Sequence, residues 1–400
     1  MIDRAAIQKN TRRIAIFRAL QLGDLIQAVP ALRALRAGFP RAEITLIGLP
    51  WARPFVQRFS RYLDRFVEFV GFPGIAELEV IPERTTRFLE EQRSYGYDLA
   101  IQMHGSGRTS NRLVCSLGAR MSVGYFEHHD REELTLRAPY PDDQPEVYRN
   151  LGLAKLLGCP ATDPELEFPL DESDYAEAAA LLPGLLTVRS MATARVATTI
   201  HENEEPQTSY GSGDPCGRHA TLDRLAFPGR HAPSRPRIGL HTGARPPARR
   251  WPADYFASLA DELARLFHAQ IILTGSTDEL SIVQSVQERM TTRPINLTGK
   301  TSLGGLAALI ASIDLFISND TGPAHIANAV GTPSITIFGP ADYRRWAPLN
   351  QSLHRVVRHP VACSPCGYWD CPIDHRCLRK VYPGSVIQAA GDLLMKGAVV

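Results

Sequence analysis

The residues best suited to chemistry form the run Asp320-Thr321-Gly322-Pro323-Ala324-His325, which follows an apolar segment and opens a helical stretch of small residues. A strand, a tight turn and a helix N-terminus leave several backbone N–H groups unpaired at the positive end of the helix dipole. That arrangement suits a diphosphate. Thr321 adds a hydroxyl and His325 an imidazole. The structural alternative is that Asp320 merely caps the helix and His325 is a surface residue.

Two more turns of small residues follow predicted strands in the same half of the chain. One is an Arg-rich segment that contains Thr242, Gly243 and Arg249, and the other contains Gly275 and Ser276. Guanidinium groups pair with phosphate oxygens through two hydrogen bonds, and glycine lets the backbone approach a ligand closely. The alternative for the Arg-rich segment is a solvated basic loop. Three such turns at one sheet edge favour an anion site.

In the first half of the chain, Gly23 and Asp24 lie between a predicted strand and a predicted helix. A carboxylate there is suited to accept a proton from a hydroxyl that attacks an electrophile, which is the role of a general base. As an alternative, Asp24 only caps its helix. Residues 18–28 contain a single glycine and do not match G-x-G-x-x-G, which argues against a dinucleotide site.

Alternating strands and helices must position these turns. In the first half, strands are predicted at 13–17, 43–48 and 98–103, with helices over 25–37, 85–94 and 107–117. In the second half, strands are predicted at 237–241, 269–274, 314–318 and 333–338, with helices over 252–268, 277–290 and 302–311. This alternation indicates two parallel, doubly wound α/β sheets. The carboxyl ends of their strands are then expected to face one cleft.

The length of 400 residues favours two domains, which we place at 1–185 and 237–400. Residues 186–236 are rich in Ser, Thr, Arg, Gly, Pro and His and show no helical or strand period, so we interpret them as a disordered linker or insertion. The last predicted helix, 385–396, is expected to return to the first domain.

Composition bears on whether the protein binds nucleic acid, whether it spans a membrane and where in the cell it is located. A net charge of +2 provides no bulk attraction for nucleic acid. No run of about 18 apolar residues is present to cross a bilayer. The N-terminus is charged and lacks the apolar stretch of a secretory signal, which predicts a cytoplasmic protein.

Taken in order, these segments resemble glycosyltransferase family 9, the ADP-heptose:lipopolysaccharide heptosyltransferases. The resemblance implies a GT-B fold with two Rossmann-like domains. It also implies transfer of a heptose, with inversion, from ADP-heptose to a hydroxyl of a lipopolysaccharide core or a related cell-envelope glycan, without a required cofactor or metal. By this analogy Asp24 is the base, and the donor is bound by Thr242, Gly243, Arg249, Gly275, Ser276, Asp320, Thr321, Gly322 and His325. The family usually carries Lys at the position of Arg249.

Two other functions remain open at this point. One is a GT-B transferase or epimerase that uses another nucleotide sugar, and the other is a non-catalytic protein that binds a nucleotide sugar or a glycan. Gly23 and His104 follow strands that face the same cleft and are expected to touch the acceptor or the sugar, although His104 could equally be structural.

Two further patterns in the sequence are weaker indications of function. Cys363, Cys366, Cys371 and Cys377 would supply the ligands of a structural Zn²⁺ site, or they are free or partly paired thiols, or they serve a cluster or redox role. Residues 51–66 place aromatic residues and arginines at helical spacing. This predicts a core-facing aromatic stripe or, less simply, a peripheral contact with the inner membrane near a lipid-linked acceptor.

Overall fold

The computed structural model describes residues 3–127, 134–183 and 235–396. The predicted linker at 186–236 lies outside the described residues except at positions 235 and 236.

The first domain is a six-stranded parallel sheet in the order β3-β2-β1-β4-β5-β6. Its strands are β1 (Arg13–Phe17), β2 (Glu43–Gly48), β3 (Arg65–Glu68), β4 (Leu99–Gln102), β5 (Met121–Phe126) and β6 (Leu136–Pro139). Its helices are α1 (Arg4–Asn10), α2 (Leu22–Gly38), α3 (Arg53–Arg58), α4 (Pro82–Tyr95), α5 (Ser110–Ser116), α6 (Glu146–Leu156) and α7 (Glu172–Leu181).

The second domain repeats this topology, with the strand order β9-β8-β7-β10-β11-β12. Its strands are β7 (Arg237–His241), β8 (Gln270–Thr274), β9 (Ile295–Asn296), β10 (Leu315–Asn319), β11 (Ser334–Phe338) and β12 (His354–Arg358). Its helices are α8 (Ala253–Phe267), α9 (Leu280–Gln287), α10 (Leu303–Ala311), α11 (Gly322–Ala329), α12 (Tyr343–Trp346), α13 (Arg376–Arg379) and α14 (Pro383–Lys396). Among the described residues, one short 3₁₀ helix lies in the first domain, at Pro50–Ala52. Two others lie in the second domain, at Pro247–Arg249 and Thr277–Glu279.

The prediction of two doubly wound parallel sheets is confirmed. The central strand β1 is apolar after Arg13, and β10 is buried along its whole length, including the polar Ser318 and Asn319. Both strands are thus covered on both faces, as parallel strands in α/β proteins are. The strand order reverses between β1 and β4 and again between β7 and β10. Those two switch points are where open α/β sheets bind ligands.

The final helix corrects the sequence prediction. α14 contacts α8 and the second sheet, rather than returning to the first domain. Its buried residues recur at helical spacing and belong to the second apolar core; they are Val386, Ile387, Ala390, Leu393 and Leu394. The prediction was wrong because helical spacing reveals an apolar face but not the sheet that this face covers.

Residues 51–66 do not form one helix. They run through a 3₁₀ turn, the short helix α3 and the start of β3. Phe55 and Phe59 are fully buried, as the core-facing interpretation predicts. Within the described part of the chain, no helix is both long and apolar enough to cross a membrane.

A helix from each domain meets at the end of the cleft. α7 of the first domain packs along α10 of the second. Glu177 accepts hydrogen bonds from the backbone N–H and the hydroxyl of Ser302, the N-cap of α10, both at 2.6 Å. Beside this cap, Arg58 donates two hydrogen bonds, at 2.5 and 2.9 Å, to the carboxylate of Asp174. Gly304 leaves room for that ion pair.

We predict that Gly304→Ala destabilises the protein. A Cβ at this position would lie 1.8 Å from Oδ1 of Asp174 and 2.2 Å from Nη2 of Arg58, so the bidentate pair must break or the helices must separate. Overpacking of this kind costs about 1–3 kcal/mol in the free energy of unfolding, measurable by urea denaturation. The control is Gly384→Ala in α14, where a Cβ has no neighbour within 4 Å. Equal stability of the two variants would contradict the tight contact.

Candidate active site

Asn319, the last residue of β10, joins the turns of the second domain. Its side-chain Nδ2 donates to the carbonyl oxygens of Thr242 at 2.9 Å and Gly243 at 3.1 Å. Its Oδ1 accepts from the backbone N–H of Trp251 at 3.0 Å. One buried amide therefore holds both ends of the Arg-rich turn beside the turn that follows β10.

Two adjoining cavities lie in the cleft between the domains. The larger cavity has a volume of about 460 Å³, and its lining includes Gly23, Gly275, Ser276, Glu279, Thr321 and Gly322. The smaller cavity has a volume of about 230 Å³, and its lining includes Gly23, Asp24, Arg249, Asp320, Gly322 and His325. Residues predicted from opposite halves of the chain thus share one continuous space.

Asp24 lies in the first turn of α2 and lines the smaller cavity. Its Oδ2 accepts a hydrogen bond from the backbone N–H of Gln21 at 3.2 Å, which completes a capping box. The carboxylate is therefore a helix cap and a cavity residue at once. Burial raises its pKa above the usual value of 3.8, while the positive charge of Arg18 opposes this rise. A carboxylate with a raised pKa is a stronger proton acceptor.

Across the cavity, Asp320 and Arg249 form an ion pair with 3.0 Å between Oδ2 and Nη1. The carboxylate is 5% exposed and the guanidinium 36% exposed, so the arginine keeps access to the cavity. Burial raises the pKa of Asp320, Arg249 opposes the rise, and the nearby charge of Asp24 adds to it. Two acidic groups from different domains thus line one cavity, and one of them, Asp320, is paired with an arginine.

His325 packs directly on the first domain. A Cβ at Gly23 would lie 2.6 Å from Cδ2 of its ring, so glycine is needed for this approach. Its Nδ1 is 3.0 Å from Nε2 of Gln27, which belongs to α2. Burial, with a contribution from Arg249, lowers the pKa of His325 to about 4. The imidazole is therefore neutral near pH 7, and the interpretation of His325 as a surface residue is wrong.

Three predicted site residues do not appear among the residues that line either cavity. The hydroxyl of Thr242 is buried without a hydrogen-bond partner. Gly243 lies against Glu279, whose Oε1 would be 1.9 Å from a Cβ at that position. His104 stacks on Phe17, with 4.9 Å between ring centroids, and its Nε2 is 3.4 Å from Oε1 of Glu77. Their ligand contacts stay predictions.

Several cavity residues were not predicted from the sequence. Glu279 lines the larger cavity, and its Oε2 accepts from the backbone N–H of Ser276 at 2.8 Å. The spacing Ser276-x-x-Glu279 is that of a capping box, so the motif was readable but its position in a cavity was not. Trp346 and Trp369 line the smaller cavity from distant segments, and no local pattern in the sequence indicates this.

The four clustered cysteines line a separate cavity of about 20 Å³, and all four are free thiols. Burial raises the pKa of Cys377 to about 11. Cys371 Sγ accepts a hydrogen bond from the backbone N–H of His375 at 3.3 Å. Across residues 3–127, 134–183 and 235–396, no group of three or more His, Cys, Asp or Glu side chains is arranged to hold a metal ion. Zinc binding here stays a prediction for metal analysis.

Individual relatives resemble this chain in amino-acid sequence and in three-dimensional structure. A lipooligosaccharide heptosyltransferase 2 of Campylobacter jejuni subsp. jejuni serotype O:2 is 31% identical over 161 residues, so the match spans 39% of this chain and half (50%) of that relative. A lipooligosaccharide heptosyltransferase 2 of Haemophilus influenzae is 26% identical over 94% of this chain and 97% of its own length. A crystal structure of a glycosyl transferase family 9 protein from Veillonella parvula superposes with a TM-score of 0.69 at 22% identity, covering 99% of both chains.

The family comparison covers the turns described above. The model of glycosyltransferase family 9 (heptosyltransferase) matches residues 85–376. This range contains every predicted donor-side residue, whereas Gly23 and Asp24 precede it. Because the match spans more than half of the chain and includes the second-domain walls of both cavities, the chain belongs to glycosyltransferase family 9.

Proposed function

We propose that this protein transfers a heptose from ADP-heptose to a hydroxyl of a lipopolysaccharide core, or of a related cell-envelope glycan, with inversion at the anomeric carbon. One observation carries the proposal. The carboxylate of Asp24 from the first domain lines the same cavity as Asp320, Gly322 and His325 from the second. A candidate base and a candidate diphosphate site therefore face each other across a space open to both substrates.

The donor is proposed to occupy both cavities. Its diphosphate lies at the N-terminus of α11, where the helix dipole attracts negative charge. Arg249 adds a positive charge beside this terminus. The nucleoside occupies the larger cavity, where the carboxylate of Glu279 is suited to accept hydrogen bonds from donor hydroxyls. These groups meet the donor charge without a metal ion.

The reaction is a single in-line displacement. The acceptor oxygen attacks the anomeric carbon from the face opposite the diphosphate, and the bond from that carbon to the diphosphate oxygen breaks. Asp24 takes the acceptor proton, and ADP leaves with the bonding electron pair. The N-terminus of α11 and Arg249 stabilise the charge that develops on the leaving group. A neutral His325 contributes polar contacts without adding positive charge.

The acceptor class also leads us to propose a location. An acceptor anchored in the inner membrane is reached most readily by an enzyme at its cytoplasmic face, so we propose a peripheral contact there. Two arginines of residues 51–66 contribute little to such a contact, because Arg58 pairs with Asp174 and Arg61 with Glu167.

We expect Asp24→Asn to lower kcat by about 100- to 10,000-fold, because the amide keeps the shape of the carboxylate but does not accept the proton. ADP binding should persist, because the proposed donor contacts lie in the second domain. Transfer is measured by mass spectrometry of the glycosylated acceptor, and ADP affinity by calorimetry. Asp163→Asn, in an exposed surface pair with Arg33, is the matched control. Near-normal turnover of Asp24→Asn would exclude the base assignment.

We expect ADP to raise the melting temperature more than UDP or GDP, because only the matching base gains full contact in the larger cavity. A larger shift with UDP or GDP would reject ADP as the donor nucleotide.

Arg249→Ala should weaken ADP binding at least about tenfold, because a charge-assisted hydrogen bond to phosphate contributes about 1.5–3 kcal/mol. Arg293→Ala, which removes an exposed arginine, should bind ADP as the wild type does.

We expect the neutral state of His325 to make stability depend on pH. In the unfolded chain this histidine gains a proton as pH falls through about 6.5, whereas the folded chain resists protonation down to its pKa of about 4. Stability is therefore lost as pH falls through this window. Between pH 7 and pH 5 the wild type should lose about 2 kcal/mol more than His325→Gln.

Urea denaturation at both pH values measures this difference, and the value of each protein at pH 7 separates lost packing from protonation. Equal losses of stability in the two proteins would show that His325 takes up its proton over the same pH range in the folded protein as in the unfolded chain, which would contradict the lowered pKa.

A further inference from the structure

A buried carboxylate outside both cavities joins the two domains. Glu146 begins α6 and is 3% exposed. Its Oε1 accepts a hydrogen bond from Nη2 of Arg18 at 3.0 Å, and its Oε2 accepts one from Nε of Arg345 at 2.9 Å. Arg18 belongs to the first domain and Arg345 to α12 of the second. A single carboxylate therefore holds one guanidinium from each domain.

On the first-domain side, this contact reaches the turn that carries Asp24. Arg18 directly follows β1 and is 1% exposed. Its Nε donates to the carbonyl oxygen of Asp24 at 2.9 Å, and its Nη1 donates to Oδ1 of Asn150 at 3.1 Å and to the carbonyl of Met103. Because all three nitrogens of the guanidinium are engaged, the position of Arg18 depends on Glu146, and the Asp24 turn depends on Arg18.

On the second-domain side, the contact reaches the opposite wall of the smaller cavity. The guanidinium of Arg345 lies 4.6 Å from the ring centroid of Trp346. Trp346 lines that cavity, and its ring centroid is 6.4 Å from that of His325. Glu146 thus holds the cavity wall and the candidate base in one arrangement.

The charges around Asp24 differ between the two domains. Within the first domain, the positive charge of Arg18 lowers the pKa of Asp24 and the negative charge of Glu146 raises it. From the second domain, the positive charge of Arg345 also lowers it. Other charged or titratable groups face this region from both domains. They are Asp320, Arg249, Arg245 and His325 of the second domain, and Tyr125 and Tyr140 of the first, which interact with Glu146. Charges exert larger effects here than in water because the site is largely buried.

We propose that Glu146 is an interdomain positioning residue whose bridge to Arg345 holds the two domains together at the cleft and keeps the positive charge of the second domain near Asp24. The bridge thus fixes the cavity wall and favours the ionised base. The inference rests on the proposed function in one respect, the role of Asp24 as base. The bridge itself is independent of that role.

The pH profile separates this device from an ordinary structural ion pair. Arg345→Met removes a positive charge, so the acidic limb of kcat/KM should move to higher pH. Glu146→Gln removes a negative charge but also releases Arg345, and these two changes act on Asp24 in opposite directions, so the limb should move less than in Arg345→Met. Both variants should lose about tenfold in kcat/KM at the optimum, as expected for a modest coupling between domains. A pair that only stabilises the fold would leave the acidic limb of both variants at the wild-type pH.

The matched control is Arg344→Met. Arg344 is the neighbour of Arg345 on α12, but its side chain is 66% exposed and pairs with Asp342 at the helix terminus. This variant should keep the wild-type pH profile. If Glu146→Gln does not fold, as judged by circular dichroism, Arg345→Met decides the question, because Arg345 is partly exposed at 28% and its loss is easier to accommodate.

Small-angle X-ray scattering tests the bridge without turnover. Both bridge variants should show a larger radius of gyration than the wild type and Arg344→Met in the presence of ADP. Unchanged radii, or an acidic limb of Arg345→Met that stays at the wild-type pH, overturn the proposal. Absence of transfer by the wild type with ADP-heptose would instead contradict the proposed function, and the scattering result would still decide whether Glu146 holds the domains together.

Discussion

The buried guanidinium of Arg18 constrains several parts of the first domain at once. A charge removed from water must be met by acceptors, and the structure supplies four of them from three segments: the Asp24 turn, the residue after β4, and two positions of α6. The secondary structure of each segment does not by itself require the segment to approach Arg18. They converge because leaving the charge partly unmet would cost several kcal/mol. The switch point of the first sheet is built around this requirement.

The second domain organises its switch point with a neutral group. Asn319 lies at the end of β10, beside this switch point, and its amide satisfies three backbone atoms of the Arg-rich turn. A neutral amide suits a wall that must receive an anion, because it leaves the charges of Arg249 and the helix terminus available. The two switch points therefore share a topology and differ in chemistry, which matches a division of labour between base and donor site.

Much of this arrangement was predictable from local patterns. β1, β2 and β7 begin and end at the predicted residues, because short β-branched runs bounded by polar residues have few alternatives. The Asp320–His325 turn and Asp24 were found because a strand, a turn and a helix N-terminus leave a local signature. Trp346, Trp369 and Glu146 were not found, since their roles arise from contacts across domains. The expectation that α14 returns to the first domain was wrong because helical spacing does not reveal which sheet an apolar face covers.

Asn319 has a consequence for how this scaffold accommodates variation. Its three hydrogen bonds make the backbone of the proposed diphosphate site one stiff unit, so a substitution within that unit propagates through all of its turns. Glu279 and Trp369 line the cavities and also contact this unit: Gly243 lies against the carboxylate of Glu279, and the carbonyl of Trp369 accepts a hydrogen bond from the backbone N–H of Ala248. Selectivity for the proposed base or sugar is thus mechanically coupled to the proposed diphosphate site. Retuning one of them, by evolution or by a protein engineer, then requires compensation in the other.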